Sequence, residues 1–228
     1  MRKERSVGLP VPLTPLIGRE HEVDDVCALL SAGGVRLVTL TGPGGVGKTR
    51  VALAVAAKLA GEHALPVAFV DLTPVQDAGF VLLTIAQGID VQSSIGDALG
   101  DLVVERLRES PLLLLLDNFE HVISEAPVLT ELLAACPGLQ IVVTSRERLS
   151  ISPEQIVEVG RLKVPADDLA PIDELIQCDA VRLFVERAGS VRRGFSLNES
   201  NASAIVGICR AVDGLPLHEN RPQPIDRS

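Results

Sequence analysis

The stretch TGPGGVGKTR, residues 41–50, decides how the rest of the chain is read. It matches G-x-x-x-x-G-K-[ST] through Gly42, Gly47, Lys48 and Thr49, with a β-rich run before it (35–40) and an Ala/Val/Leu helical pattern after it (48–60). Glycines here let the backbone curl so that successive N–H groups point inward, and the following helix aims its positive end at the same spot. The loop Gly42-Pro43-Gly44-Gly45-Val46-Gly47, with Lys48, Thr49 and Arg50 behind it, is thus expected to hold phosphates. Lys48 would reach the β- and γ-phosphates and the Thr49 hydroxyl would ligate Mg²⁺.

The same residues also spell G-x-G-x-x-G through Gly42, Gly44 and Gly47, and Asp71 ends a second strand where a dinucleotide-binding fold places its ribose acid. An NAD-dependent oxidoreductase of the Rossmann type is therefore an alternative. That alternative has no use for Lys48-Thr49, requires no acid at the end of a later leucine-rich strand, and predicts nothing at Arg146.

Further strands are expected at 67–72, 112–116, 139–144 and around 155–159, separated by helical patterns at about 76–88, 95–109 and 123–135. A helix is also expected from Glu20 to Leu30, where Val23, Val26, Cys27 and Leu30 keep helical spacing. Near-continuous apolar strands alternating with helices predict a mainly parallel sheet of about five strands covered on both faces, the three-layer α/β/α arrangement of a P-loop NTPase. After Pro165 the pattern is helical, at about 173–188 and 199–212. The expected domains are a flexible linker over 1–15, a nucleotide-binding domain over 16–165, a helical subdomain over 166–217 and a disordered tail over 218–228.

In LLLLLDNFEH, residues 112–121, five leucines form a buried strand and Asp117 emerges at its carboxyl end, the edge where open α/β sheets bind ligands. A P-loop fold needs a carboxylate there to hold the magnesium hydration shell. The strand LQIVVTSR, residues 139–146, ends on Thr144, Ser145 and Arg146. If it lies between the phosphate-loop strand and the Asp117 strand, Arg146 faces the γ-phosphate and can sense its presence. Asn118 stands where many hydrolytic P-loop proteins carry a glutamate, and an amide cannot accept a proton. Glu120 or His121 could substitute, so slow turnover is expected.

The chain has 228 residues, 46% of them hydrophobic, which is enough for a real core. With five Phe, no Trp and no Tyr, that core is aliphatic, and few aromatic faces remain on which bases could stack. A net charge of −9 opposes a polyphosphate backbone, so direct nucleic-acid binding is not expected. Four cysteines without a C-x-x-C pair read as buried thiols of a reducing compartment. The N-terminus lacks the apolar core of a signal peptide, and no apolar run approaches the roughly 20 residues a bilayer needs. The expectation is a cytoplasmic protein with no membrane partner.

These motifs together resemble the STAND class of signalling ATPases, near the NB-ARC branch found in bacterial AfsR- and LuxR-like transcriptional regulators. The resemblance runs through PLIGRE (15–20), LTGPGGVGKTR (40–50), VAFVDL (67–72), LLLLLDNFEH (112–121), VVTSRE (142–147), AVRLFVERA (180–188) and ICRAVDGLPL (208–217). It implies ATP or ADP with Mg²⁺ as ligands, Gly18, Arg19 and Glu20 bordering the adenine, and Pro216 packing against the nucleotide. It further implies a switch in which ADP holds a closed state and ATP opens one able to self-associate or to engage an effector protein. A nucleotide-stabilised interaction module that never hydrolyses is the alternative. Relatives continue beyond GLPL with an apolar helix and further domains, whereas this sequence runs on as His218-Glu219-Asn220-Arg221-Pro222, which reads as a truncated or stand-alone module.

Overall fold

The computed structural model describes residues 9–92, 98–166 and 170–216. The described residues fall into two compact units: one runs to Pro43 and from Lys48 to Val159, the other holds Gly44–Gly47 and the chain from Gly160 on.

The first unit opens with helix α1 (Glu20–Ser31), strand β1 (Leu37–Thr41), helix α2 (Lys48–His63) and strand β2 (Val67–Asp71). Helices α3 (Val81–Gly88) and α4 (Leu99–Arg108) lead to strand β3 (Leu112–Asp117), helix α5 (Ala126–Ala135), strand β4 (Leu139–Ser145) and strand β5 (Glu154–Glu158). All neighbouring strands are parallel, in the order β2-β3-β4-β1-β5. Strand β4 therefore lies between β1 and β3, the placement on which the reading of Arg146 depended. A dinucleotide-binding sheet sets its first strand beside its second; here β1 is flanked by β4 and β5, so the Rossmann alternative does not describe this sheet.

Central position explains composition. Every residue of β3 is buried, as the leucine run requires of a strand covered on both faces, whereas edge strand β5 has no buried residue. Around the sheet packs an aliphatic cluster including Leu114, Leu116, Leu129, Ile141 and Val143, with Phe119 as its one fully buried aromatic. Arg36 ties α5 to the sheet by donating to the carbonyls of Leu133 (2.8 Å) and Cys136 (3.1 Å).

Several elements are shorter than periodicity predicts. The pattern at 76–88 becomes a 3-10 turn over Ala78–Phe80, with the Asp77 carboxylate accepting the Gly79 N–H (3.0 Å), before α3 begins. Two further 3-10 turns, Phe119–His121 and Ile123–Glu125, precede α5.

The second unit carries helices α6 (Ile172–Leu175), α7 (Asp179–Val191) and α8 (Ala202–Ala211). The single helix expected over 173–188 is broken at Cys178, whose backbone is extended, while the Lys163 carbonyl accepts the Cys178 thiol (2.9 Å) and the Ala180 N–H (3.3 Å). Leu162, Ala180, Val181, Ile205 and Cys209 form its core, with Phe184 edge-on to Phe195 at 6.2 Å. The four cysteines are free thiols. Among the described residues no helix is long and apolar enough to cross a membrane. The expected tail over 218–228 and most of the expected linker, residues 1–8, lie outside the described residues.

Candidate functional site

The site grows from three chain positions that the parallel sheet brings to one edge. Strand β1 ends at Thr41, the glycine loop follows, and α2 starts at Lys48. Gly42 (φ 147°) and Gly47 (φ 96°), the two glycines the motif fixes, take positive backbone angles that side-chain-bearing residues seldom adopt, and so does Gly45 (φ 83°) between them. Lys48 folds back over this loop and donates to the carbonyls of Gly42 (2.9 Å) and Pro43 (3.1 Å). Burial lowers the pKa of its ammonium, an effect the charges of Glu120 and Asp117 oppose and that of Arg146 reinforces.

Asp117, at the tip of β3, is buried and accepts two hydroxyls on one carboxylate oxygen. Thr49 on α2 donates at 2.8 Å and Thr144 on β4 at 2.6 Å. Burial pushes the Asp117 carboxyl above its ordinary range, the two hydroxyl donors work against that, and the charges of Asp71 and Glu120 add to it. Lys48, Thr49 and Asp117 are thus brought together from sequence positions far apart. Thr144 is a member that sequence reasoning passed over. Its signal was its place at the carboxyl end of the strand next to β3.

Asn118 follows in a left-handed conformation (φ 63°, ψ 53°), which asparagine tolerates better than most residues. Its N–H donates to Thr144 Oγ1 (3.0 Å) and its side-chain amide to Thr73 Oγ1 (2.6 Å). Thr73 in turn donates its hydroxyl and its backbone N–H to Asp71, at 2.5 and 2.8 Å. His121 Nε2 lies 2.9 Å from the Leu72 carbonyl. Arg146, immediately after β4, pairs through Nε with Glu120 Oε1 at 3.1 Å, with its own side chain 66% exposed.

The remaining expected residues are placed as follows. Gly18 precedes α1, Glu20 begins it and is exposed, and buried Arg19 pairs with Glu22 at 2.7 Å. Arg50 donates to the Thr14 hydroxyl (2.9 Å) and to the carbonyls of Thr14 (2.6 Å) and Pro15 (2.8 Å), and so anchors the chain ahead of α1. Pro216 belongs to the second unit, as do Gly44–Gly47, and its Cγ stands 4.0 Å from where a Cβ on Gly47 would lie.

The donor set suits magnesium. Mg²⁺ prefers hard oxygen ligands, takes one or two from protein and completes its octahedron with water and phosphate. A carboxylate and a hydroxyl 2.8 Å apart beside a phosphate-type loop provide such a pair. Among the described residues there is no group of three or more His, Cys, Asp or Glu side chains suited to an all-protein metal cage.

Residues 15–109 match the AAA ATPase domain family. The uncharacterized protein Rv0894 of Mycobacterium tuberculosis is 35% identical over 206 residues, 90% of this chain and 49% of that protein. Rv0890c of the same organism, named provisionally as an HTH-type transcriptional regulator, is 38% identical over 183 residues, 80% of this chain and 19% of that protein. The chain thus spans about half the length of the first of these relatives and a fifth of the second. Among solved structures, a STAND protein with a tetratricopeptide repeat sensor from Pyrococcus horikoshii aligns with a TM-score of 0.52 at 16% identity, over 91% of this chain and 29% of that one. Cdc6p from Pyrobaculum aerophilum aligns with a TM-score of 0.57 at 18% identity, over 91% of this chain and 58% of that one. The parallel sheet order and the phosphate loop give the chain the P-loop NTPase fold, and residues 15–109 are similar to the AAA ATPase domain family.

Proposed function

We propose that this chain is an ATP/ADP-binding switch with slow Mg²⁺-dependent ATP hydrolysis, serving as the regulatory module of a transcriptional regulator. The observation that carries the reading is the 2.8 Å hydrogen bond from Thr49 to Asp117, which joins the start of α2 to the tip of β3 beside Lys48. In this reading Lys48 and the loop backbone bind the β- and γ-phosphates, Thr49 and Asp117 hold Mg²⁺, and Arg146 meets the γ-phosphate. Bound Mg²⁺ would neutralise charge on the phosphate oxygens. Gly18, Arg19 and Glu20 border the adenine, and Pro216 packs against the nucleotide. Because only ATP offers a γ-phosphate to Arg146, exchange of ADP for ATP shifts the population between two states. The name of Rv0890c supports the assignment to a regulator.

Melting the protein with ATP, ADP, GTP and NAD in parallel tests this. ATP and ADP with Mg²⁺ are expected to raise the melting temperature and NAD to leave it unmoved; stabilisation by NAD alone would overturn the reading.

A second reading, a nucleotide-stabilised interaction module without turnover, is favoured by Asn118, whose amide is committed to Thr73 and cannot take a proton. Single-turnover release of labelled phosphate separates the two, since only the switch that hydrolyses releases any.

A further inference from the structure

Three polar side chains follow Asp117 within four residues, and they divide between two sides of β3. Asn118 bonds to Thr73 and His121 to the Leu72 carbonyl, both on the segment that leaves β2. Strand β2 is the edge strand on the side of β3 away from β1. Glu120 goes the other way. It meets Arg146, which follows β4, the strand lying between β3 and the phosphate-loop strand. Buried Phe119 stands between them and fixes the division.

We propose that Glu120 is the residue that orients the water attacking the γ-phosphate, and that its ion pair with Arg146 holds it in place before nucleotide arrives. The proposal rests on the ATPase reading above. Two observations carry it. Glu120 Oε1 is engaged by Arg146, but Oε2 is buried with no hydrogen-bond partner among the described residues. A buried acceptor left in that condition is costly unless a donor meets it, and water is such a donor. In addition, Arg146 is 66% exposed, and an ion pair so open to solvent is a weak one that a phosphate dianion can break.

In the reaction the water oxygen bonds to the γ-phosphorus while the bond from that phosphorus to the bridging oxygen breaks, its electron pair leaving with ADP. The proton of the water passes to the Glu120 carboxylate and then to the released phosphate. Most of the bond breaking precedes attack in such a loose transition state, so holding the water in line is the larger part of the task.

The test compares the unaltered protein with Glu120→Gln, Glu120→Asp and Asn118→Gly, the last keeping the left-handed turn without the amide. Glu120→Gln is expected to keep the melting shifts given by ATP and by ADP while slowing single-turnover phosphate release by about 100-fold or more. It should also lose the extra stabilisation that ADP with aluminium fluoride and Mg²⁺, a mimic of the phosphoryl group in flight, gives the unaltered protein. Glu120→Asp, which keeps the charge opposite Arg146 but withdraws the oxygen, is expected to lose both as well. Asn118→Gly should retain them. Normal release from Glu120→Gln, or loss in Asn118→Gly to the same degree, would overturn the role of Glu120 alone. An unaltered protein that is stabilised by ATP yet releases no phosphate would overturn hydrolysis and Glu120 together, and one that ATP does not stabilise would overturn the nucleotide reading itself.

Discussion

Thr144 gives its hydroxyl proton to Asp117 at 2.6 Å and receives the N–H of Asn118 at 3.0 Å, so one threonine on β4 fixes both the carboxylate and the turn that follows it. It is fully buried, and no solvent can replace either bond. The hydroxyl of Thr49 arrives on the same carboxylate oxygen from α2, which makes Asp117 the junction of three elements.

Thr144→Val keeps the shape and removes the hydroxyl, leaving a buried carboxylate and a backbone N–H each short of a partner. A loss of about 1–3 kcal/mol in unfolding free energy is expected from chemical denaturation. Thr144→Ser should recover most of it, and equal losses in the two variants would point to packing instead.

Lys48→Ala removes the only side-chain ammonium that caps the glycine loop's Gly42 and Pro43 carbonyls among the described contacts. Nucleotide at a thousand times its Kd stabilises a protein by about 4 kcal/mol, and this variant is expected to lose that increment while its nucleotide-free melting persists. An undiminished ATP shift in Lys48→Ala would remove the lysine from the site.

Burial holds the Asp117 carboxyl above its ordinary range, so the native state binds that proton more tightly than the unfolded chain. Its contribution to metal-free stability is therefore complete below the unfolded pKa and is lost as pH rises through the raised native one. Asp117→Asn should be the more stable protein above that window and should lack this part of the slope. Denaturation in the presence of a chelator across the acid range measures it, and parallel curves for the two proteins would contradict the assignment.

Gly214 has φ 63°, and a Cβ there would run into the Leu162 carbonyl oxygen, within the second unit. The Leu162 N–H also donates to the Gly214 carbonyl at 3.0 Å, so the two strands of chain cannot simply part. Gly214→Ala is expected to cost at least about 1–3 kcal/mol from backbone strain alone. Thermal melting reads this directly, and a variant as stable as its parent would show that the turn can relax.

Much of the sheet was legible because each of its signals is local. Five leucines in a row can hardly be other than a covered strand, and glycines ahead of Lys48-Thr49 prescribe a turn between strand and helix. The meeting of Lys48, Thr49 and Asp117 could be anticipated once the sheet was taken to be parallel, since parallel strands bring their carboxyl ends to one edge. The contacts of Asn118, Glu120 and His121 could not be read in advance. Their directions depend on one left-handed residue and on a 3-10 turn too short for any periodicity to register. The break at Cys178 was hidden for a related reason, because a carbonyl at Lys163, 15 residues earlier, takes the thiol there.

Phe119 sits wholly inside the aliphatic interior, yet its chain neighbours are the two polar residues that point to opposite sides of β3. The aim of Asn118 and Glu120 is therefore set by the same packing that keeps the protein folded. A smaller side chain at 119 would give both neighbours room to swing, and chemistry would blur at the same substitution that loosens the interior. For this stretch, the rigidity of the interior and the direction of a neighbouring carboxylate both depend on one and the same ring.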